Sequence, residues 1–144
     1  MIIERSVAPG AEFQGKEKHI TAARLLTFSG GPITEGGWPR KNIHTDTDFA
    51  KSTGLPSRCA SGTQFQGQMV EFFVDLFGED WFASGTMNVK FVDLVLEDQT
   101  VTAHAKVTNR VVDPKGGTRI EFDIWSERND GRKVMTGTAT GLLD

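Results

Sequence analysis

The sequence contains no tyrosine, and its one cysteine, Cys59, has no second thiol in the chain with which to close a disulfide. A lone thiol fits a reducing compartment. No stretch approaches about 18 uninterrupted apolar residues, so nothing reads as a membrane-spanning helix. The first residues, Met1-Ile2-Ile3-Glu4-Arg5, show neither a basic leader with an apolar stretch nor a small-residue cleavage site. The expected location is therefore the cytoplasm, with no membrane partner. Basic and acidic residues number 16 and 19, a formal net charge of -3, and no run of Lys or Arg is long enough to track phosphates. Nucleic acid is not an expected partner. His19 and His104 have no companions at metal-ligand spacing, so neither a metal site nor a cofactor is expected. Repeats, low-complexity tracts and Pro/Ser-rich linkers are missing too, and the 144 residues read as one domain, 1–144. A chain of that length buries roughly two thirds of the surface its unfolded form exposes.

What is present is phenylalanine, ten residues of it. Phe65, Met69, Phe72 and Leu76, with Val70, Phe73 and Phe77 alongside, recur at helical spacing and predict a buried helix from Ser61 to Phe77. Ser61 is placed to cap its first turn, and Gly78 stands where a positive backbone angle ends a helix. Gly67, in its middle, is unfavourable there by about 1 kcal/mol relative to Ala, which marks a place for a close backbone or ligand approach. A shorter helix is expected from Thr21 to Phe28. It leads into a loop from Ser29 to Arg40 that is rich in Gly and Pro.

Beyond the long helix the period changes to two. Val89 and Phe91, then Val101, Ala103, Ala105 and Val107, then Ile120, Phe122 and Ile124 alternate with polar neighbours, as half-buried antiparallel strands do. Asp113-Pro114-Lys115-Gly116-Gly117 and Asn129-Asp130-Gly131 are hairpin signals, the second leading into a last strand from Lys133 to Leu143. The expectation is a four-stranded antiparallel meander. A helix apolar over most of its circumference needs a sheet curled round it, an α+β arrangement known as the hot-dog fold. The exposed edge of such a sheet is commonly closed by a second copy, so a homodimer or higher homo-oligomer is expected.

The residues able to carry chemistry gather between Glu35 and Gly62. The run Asn42-Ile43-His44-Thr45-Asp46-Thr47-Asp48-Phe49-Ala50, then Lys51-Ser52-Thr53-Gly54-Leu55-Pro56 and Ala60-Ser61-Gly62, resembles the MaoC-like dehydratases and R-specific enoyl-CoA hydratases. Their pattern is an Asn-rich turn ending in a His, a short helix, a Gly-Leu-Pro turn and a Gly at the start of the long helix. The resemblance extends from about Val7 to Leu143. It implies a hot-dog dimer in which a His and an Asp activate water across the double bond of a 2-enoyl thioester, or expel water in reverse. His44 matches the family His, and imidazole is suited to take and return a proton near neutral pH. Gly62 matches the Gly whose backbone N–H binds the thioester carbonyl; an N–H opening a helix has no intrahelical partner and lies at the positive end of the macrodipole.

The family Asp is not in its place. Counted back from His44 it falls on Pro39, or on Arg40 if one residue is gapped so that Asn42 meets the family Asn. Glu35 is the candidate substitute, because Gly36 and Gly37 let the loop fold back; a solvated loop carboxylate is the other reading. Asp46 and Asp48 precede a short helix, Phe49 to Thr53, where capping accounts for them. Arg40 is a candidate for coenzyme A phosphates or a solvating surface cation, with Lys41 beside it. Asn42 and Ser61 join Gly62 as candidate substrate contacts. Trp38-Pro39 is expected to pack the loop down, and Cys59 to be a buried filler.

The activity these residues point to is hydration or dehydration of an acyl-CoA or acyl-carrier thioester, with His44 as general acid and base and Glu35, another acidic group or a water in place of the Asp. A thioesterase or isomerase on the same scaffold, and a non-catalytic acyl-thioester-binding subunit, are the alternatives.

Overall fold

In a computed structural model, which describes residues 3–143, four helices and six strands follow in the order β1 (Glu12–Gln14), β2 (Lys18–His19), α1 (Ala22–Ser29), α2 (Thr47–Ser52), α3 (Gly62–Phe77), α4 (Trp81–Ser84), β3 (Thr86–Phe91), β4 (Thr100–Val112), β5 (Thr118–Arg128) and β6 (Lys133–Leu143). The strands form one antiparallel sheet, ordered β1-β4-β5-β6-β3, with β2 also on β4. The sheet and the helix it wraps make this a hot-dog fold.

The period-two residues of β4 and β5 face the helix, whereas Phe91 at the end of β3 is exposed. Val101, Ala103, Ala105 and Val107 of β4, and Ile120, Phe122 and Ile124 of β5, are buried with Phe65, Met69, Phe72, Phe73, Leu76 and Phe77 of α3. Phe73 is fully buried, its ring centroid 5.2 Å from that of Phe122 and 5.6 Å from that of Trp81. Each large side chain removed from water here contributes roughly 1.5–3 kcal/mol, which is why a helix this apolar lies under a sheet rather than on the surface. The β4–β5 turn closes as expected, with Gly116 and Gly117 at φ +105° and +82°, angles that side chains with a Cβ rarely adopt.

Four expectations need correction. The strands after α3 are not a simple meander: β4, β5 and β6 follow one another, but β3 pairs with β6 at the far edge, Thr86 opposite Thr140. The segment 92–99 is too long for a tight hairpin and carries the chain across to β4 instead. The sheet has six strands rather than four, because β1 and β2 are three and two residues long and show no alternation to read. Ser61 does occupy the N-cap of α3 but makes no capping bond; its hydroxyl lies 2.8 Å from that of Thr63. Finally, a Cβ built on Gly67 meets nothing within 4 Å, so no close approach within the chain explains that glycine.

Candidate active site

The site segment is a chain of backbone and polar tethers laid between α1 and α3. Asn42 is its keystone. The side-chain amide donates to the Ser29 carbonyl at the end of α1 (2.9 Å), while its Oδ1 accepts the backbone N–H of His44 (2.8 Å). Thr45, buried, donates its hydroxyl to the Arg40 carbonyl (2.6 Å) and accepts the Asn42 N–H (3.0 Å). Asp46 then caps α2, accepting the Phe49 N–H at 2.7 Å. Asn, Thr and Asp are the residues whose short polar side chains bond nearby backbone, so this stretch forms a tight turn rather than a strand.

That turn fixes the imidazole. His44 Nδ1 lies 2.7 Å from the Cys59 carbonyl oxygen. A carbonyl can only accept, so Nδ1 carries the proton, and in the neutral ring the lone pair falls on Nε2. The Cys59 N–H in turn donates to the Ile43 carbonyl (3.3 Å), and Ala60 N–H to Val95 (2.8 Å), which pins the segment leading into α3 against the crossover strand segment. Gly62 opens α3 a few residues on, and its N–H has no intrahelical acceptor, whereas the Gln64 N–H two positions later donates to the Ser61 carbonyl (2.9 Å). A Cβ on Gly62 would come within 2.9 Å of the Phe91 ring, so only glycine leaves the helix start its present contact with that ring.

An ion pair braces the assembly. Arg58 donates to both Glu97 oxygens, at 2.7 and 2.6 Å, and its remaining nitrogen to the Thr45 carbonyl at 3.1 Å. The Arg58 hydrogen bonds hold the Glu97 carboxyl below the usual glutamate range. Cys59 itself is buried, and that burial pushes its thiol up, away from the nucleophilic thiolate; it is a filler, as its sequence context suggested.

Of the residues singled out from sequence, His44, Asn42, Ser61 and Gly62 are drawn into one neighbourhood through Cys59. Glu35 is tied elsewhere: its exposed carboxylate accepts from Arg40, and among the described residues no hydrogen bond joins it to His44. The same pair engages the Arg40 guanidinium. Trp38 and Pro39 pack against Gly30, whose Cβ would meet both at 2.9 Å. Sequence reasoning missed the Arg58–Glu97 brace, the Cys59 carbonyl and Phe91. The first joins residues 39 apart and the second is a backbone atom, so neither leaves a spacing signal; Phe91 was read only as a strand residue. Among the described residues no group of three or more His, Cys, Asp or Glu is placed to hold a metal.

A His turn and a Gly-opened helix under a hot-dog sheet define the class of fold, and the comparisons narrow it. The MaoC like domain model matches residues 38–137, and the chain belongs to that family. Glu35 lies just outside the matched span. Among solved structures, the monoamine oxidase regulatory protein of Archaeoglobus fulgidus is 18% identical, with a TM-score of 0.75 over 99% of this chain and 95% of that one. The unliganded R-hydratase PhaJ1 of Pseudomonas aeruginosa is 18% identical, with a TM-score of 0.73 over 93% and 80%. The MaoC-like dehydratase of Rhodospirillum rubrum is 12% identical, with a TM-score of 0.75 over 99% and 97%. No curated protein sequence matches the chain.

Proposed function

We propose that this chain is a hydratase/dehydratase that adds water to a 2-enoyl thioester of coenzyme A or a carrier protein, or removes it from the 3-hydroxyacyl thioester, with His44 as the general acid and base. The observation that carries this is the bond from His44 Nδ1 to the Cys59 carbonyl, which leaves Nε2 as an oriented base. In the hydration direction Nε2 takes a proton from water as the oxygen bonds to C3 of the substrate. The electron pair of the double bond moves onto the thioester, and the Gly62 N–H at the positive end of α3 stabilises the enolate oxygen. The protonated His44 then returns a proton to C2, so one group can serve both transfers where the family Asp is replaced by Pro39 or Arg40.

Asn42 acts by holding the His44 turn, and Ser61 by lining the approach to Gly62. Arg40 and Lys41 are the cations available for coenzyme A phosphates, Arg40 by exchanging its Glu35 partner. Glu35 is the carboxylate to test as a second acid. The proposed setting is the cytoplasm, and the proposed assembly is a homodimer: among the described residues β3 pairs only with β6, and Phe91, Val92 and Leu94 at and beyond its end are exposed. Sedimentation should give twice the chain mass, and a stable monomer would exclude the dimer.

Crotonyl-CoA hydration measured beside thiol release tests the activity. Loss of the enoyl chromophore without free thiol is expected. Thiol release alone would make the chain a thioesterase, and silence in both with saturable acyl-CoA binding would make it a binding subunit.

A further inference from the structure

We infer that Arg128, at the end of β5, is a positioning residue for His44: it fixes the crossover segment 92–99, and through it the Cys59 carbonyl that orients the imidazole. This rests on the reading above, in which His44 moves the proton.

Arg128 is only 9% exposed. A buried guanidinium is costly unless its donors are met, and Arg128 meets them on two sides. Toward its own hairpin, Nε and Nη2 donate to the two Asp130 oxygens at 2.9 and 2.7 Å. Toward the crossover, Nη1 donates to the Leu94 carbonyl at 2.7 Å, and Asp93 Oδ2 lies 3.7 Å from Nη2. The hairpin closes without the side chain, since the Arg128 N–H donates to the Arg132 carbonyl (2.9 Å) and the Gly131 N–H to the Arg128 carbonyl (2.8 Å). What the guanidinium adds is the bond to Leu94, 34 positions away.

That bond falls where the crossover is otherwise loosely held. The Val92 N–H is bonded to the Val134 carbonyl at 2.9 Å, but the Asp93 N–H reaches it only at 3.4 Å, and the Leu94 N–H is met by the Asp93 side chain rather than by the sheet. Leu94 is also 42% exposed, so burial does not pin it. One residue on, the Val95 carbonyl accepts the Ala60 N–H (2.8 Å), and Leu96 pairs with Cys59. Cys59 then supplies the carbonyl that fixes His44 Nδ1. Arg58 braces the far end of the crossover at Glu97; Arg128 braces the near end at Leu94. Released at Leu94, the segment carries Ala60 and Cys59 with it, and a misplacement of about 1 Å at a reacting group costs about a hundredfold in rate.

The test reads the imidazole itself, by nitrogen NMR of the full chain in alkaline solution, where free imidazole is neutral, with His44 assigned by the signals lost in His44→Gln. The wild-type ring should carry its proton on Nδ1. Arg128→Met should give a mixture with the Nε2–H tautomer, and crotonyl-CoA turnover about ten- to a hundredfold lower with KM within about twofold. Asp130→Asn weakens the hairpin side and leaves the Leu94 bond, so it should lower the melting temperature while the His44 signals and turnover stay as in wild type. Should Arg128→Met not fold, Arg128→Lys carries the test: its ammonium goes to Asp93 and Asp130 and leaves Leu94 without a donor, so the same mixture is expected. An undisturbed Nδ1–H ring in a folded Arg128 variant, an equal disturbance by Asp130→Asn, or a wild-type ring protonated on Nε2 would overturn the inference. The NMR arm needs no substrate, so a tautomer that depends on Arg128 in a protein that hydrates nothing would uphold the positioning and sink the hydratase reading. His44-dependent hydration indifferent to Arg128 would do the reverse.

Discussion

The two halves of this molecule are held together by different forces. From β3 onward, rows of apolar side chains from three long strands close on one face of α3, and no single contact decides the outcome. Between α1 and α3, the chain is held by single polar tethers: Asn42 to Ser29, Thr45 to Arg40, Arg58 to Glu97 and Thr45, His44 to Cys59. Apolar burial is non-directional and gives stability, whereas hydrogen bonds fix an atom's position. The half that holds His44 uses the second; the half that packs the core uses the first.

Substitutions should separate the two regimes. Phe73→Ala, which empties a fully buried site among Phe77, Trp81 and Phe122, should lower stability by about 3–5 kcal/mol in denaturant unfolding. A loss under about 1 kcal/mol would mean the aromatic cluster is not the core. Glu97→Gln should remove about 1.5–3 kcal/mol, the range for a hydrogen bond to a charged group, and should lower turnover as well because the His44 turn loosens.

Its pH dependence has a defined sign. The folded Glu97 carboxyl is depressed, chiefly by the Arg58 hydrogen bonds, so its stabilisation is complete above the ordinary glutamate value of about 4.3 and is lost as pH falls through the folded value. The stability gap between wild type and Glu97→Gln should therefore narrow on acidification below that point, and a gap constant down to the acid transition would count against the pair. Smallest are the caps. Asp46→Ala should cost about 1 kcal/mol in melting experiments, whereas Ser61→Ala, which loses no capping bond, should change stability by less than about 0.5 kcal/mol. Equal losses from the two would show that Ser61 caps α3 after all.

The same division explains what could be read before the structure. Features encoded in neighbouring residues were legible: the 3.6-residue period of α3, the short helix beginning near Thr21, the turns at Asp113–Gly117 and Asn129–Gly131. Pairing order was not, since nothing local to Thr86–Phe91 says that its partner is β6 rather than β4. In the candidate site, His44, Asn42 and Gly62 were singled out because they match a family pattern, and the structure shows Asn42 holding the His44 backbone. The Cys59 carbonyl and the Arg58–Glu97 brace were invisible, one being a backbone atom and the other a pairing across 39 positions. The structure pairs Glu35, the carboxylate suggested as a substitute for the family Asp, with Arg40.

The central claim is that His44 moves the proton, and His44→Ala tests it most directly. Hydration of crotonyl-CoA by the variant should fall by about a hundred- to ten-thousand-fold, the value of one positioned acid–base group, while its melting temperature stays within a degree or two of wild type. Turnover that survives His44→Ala in a folded protein would contradict the account.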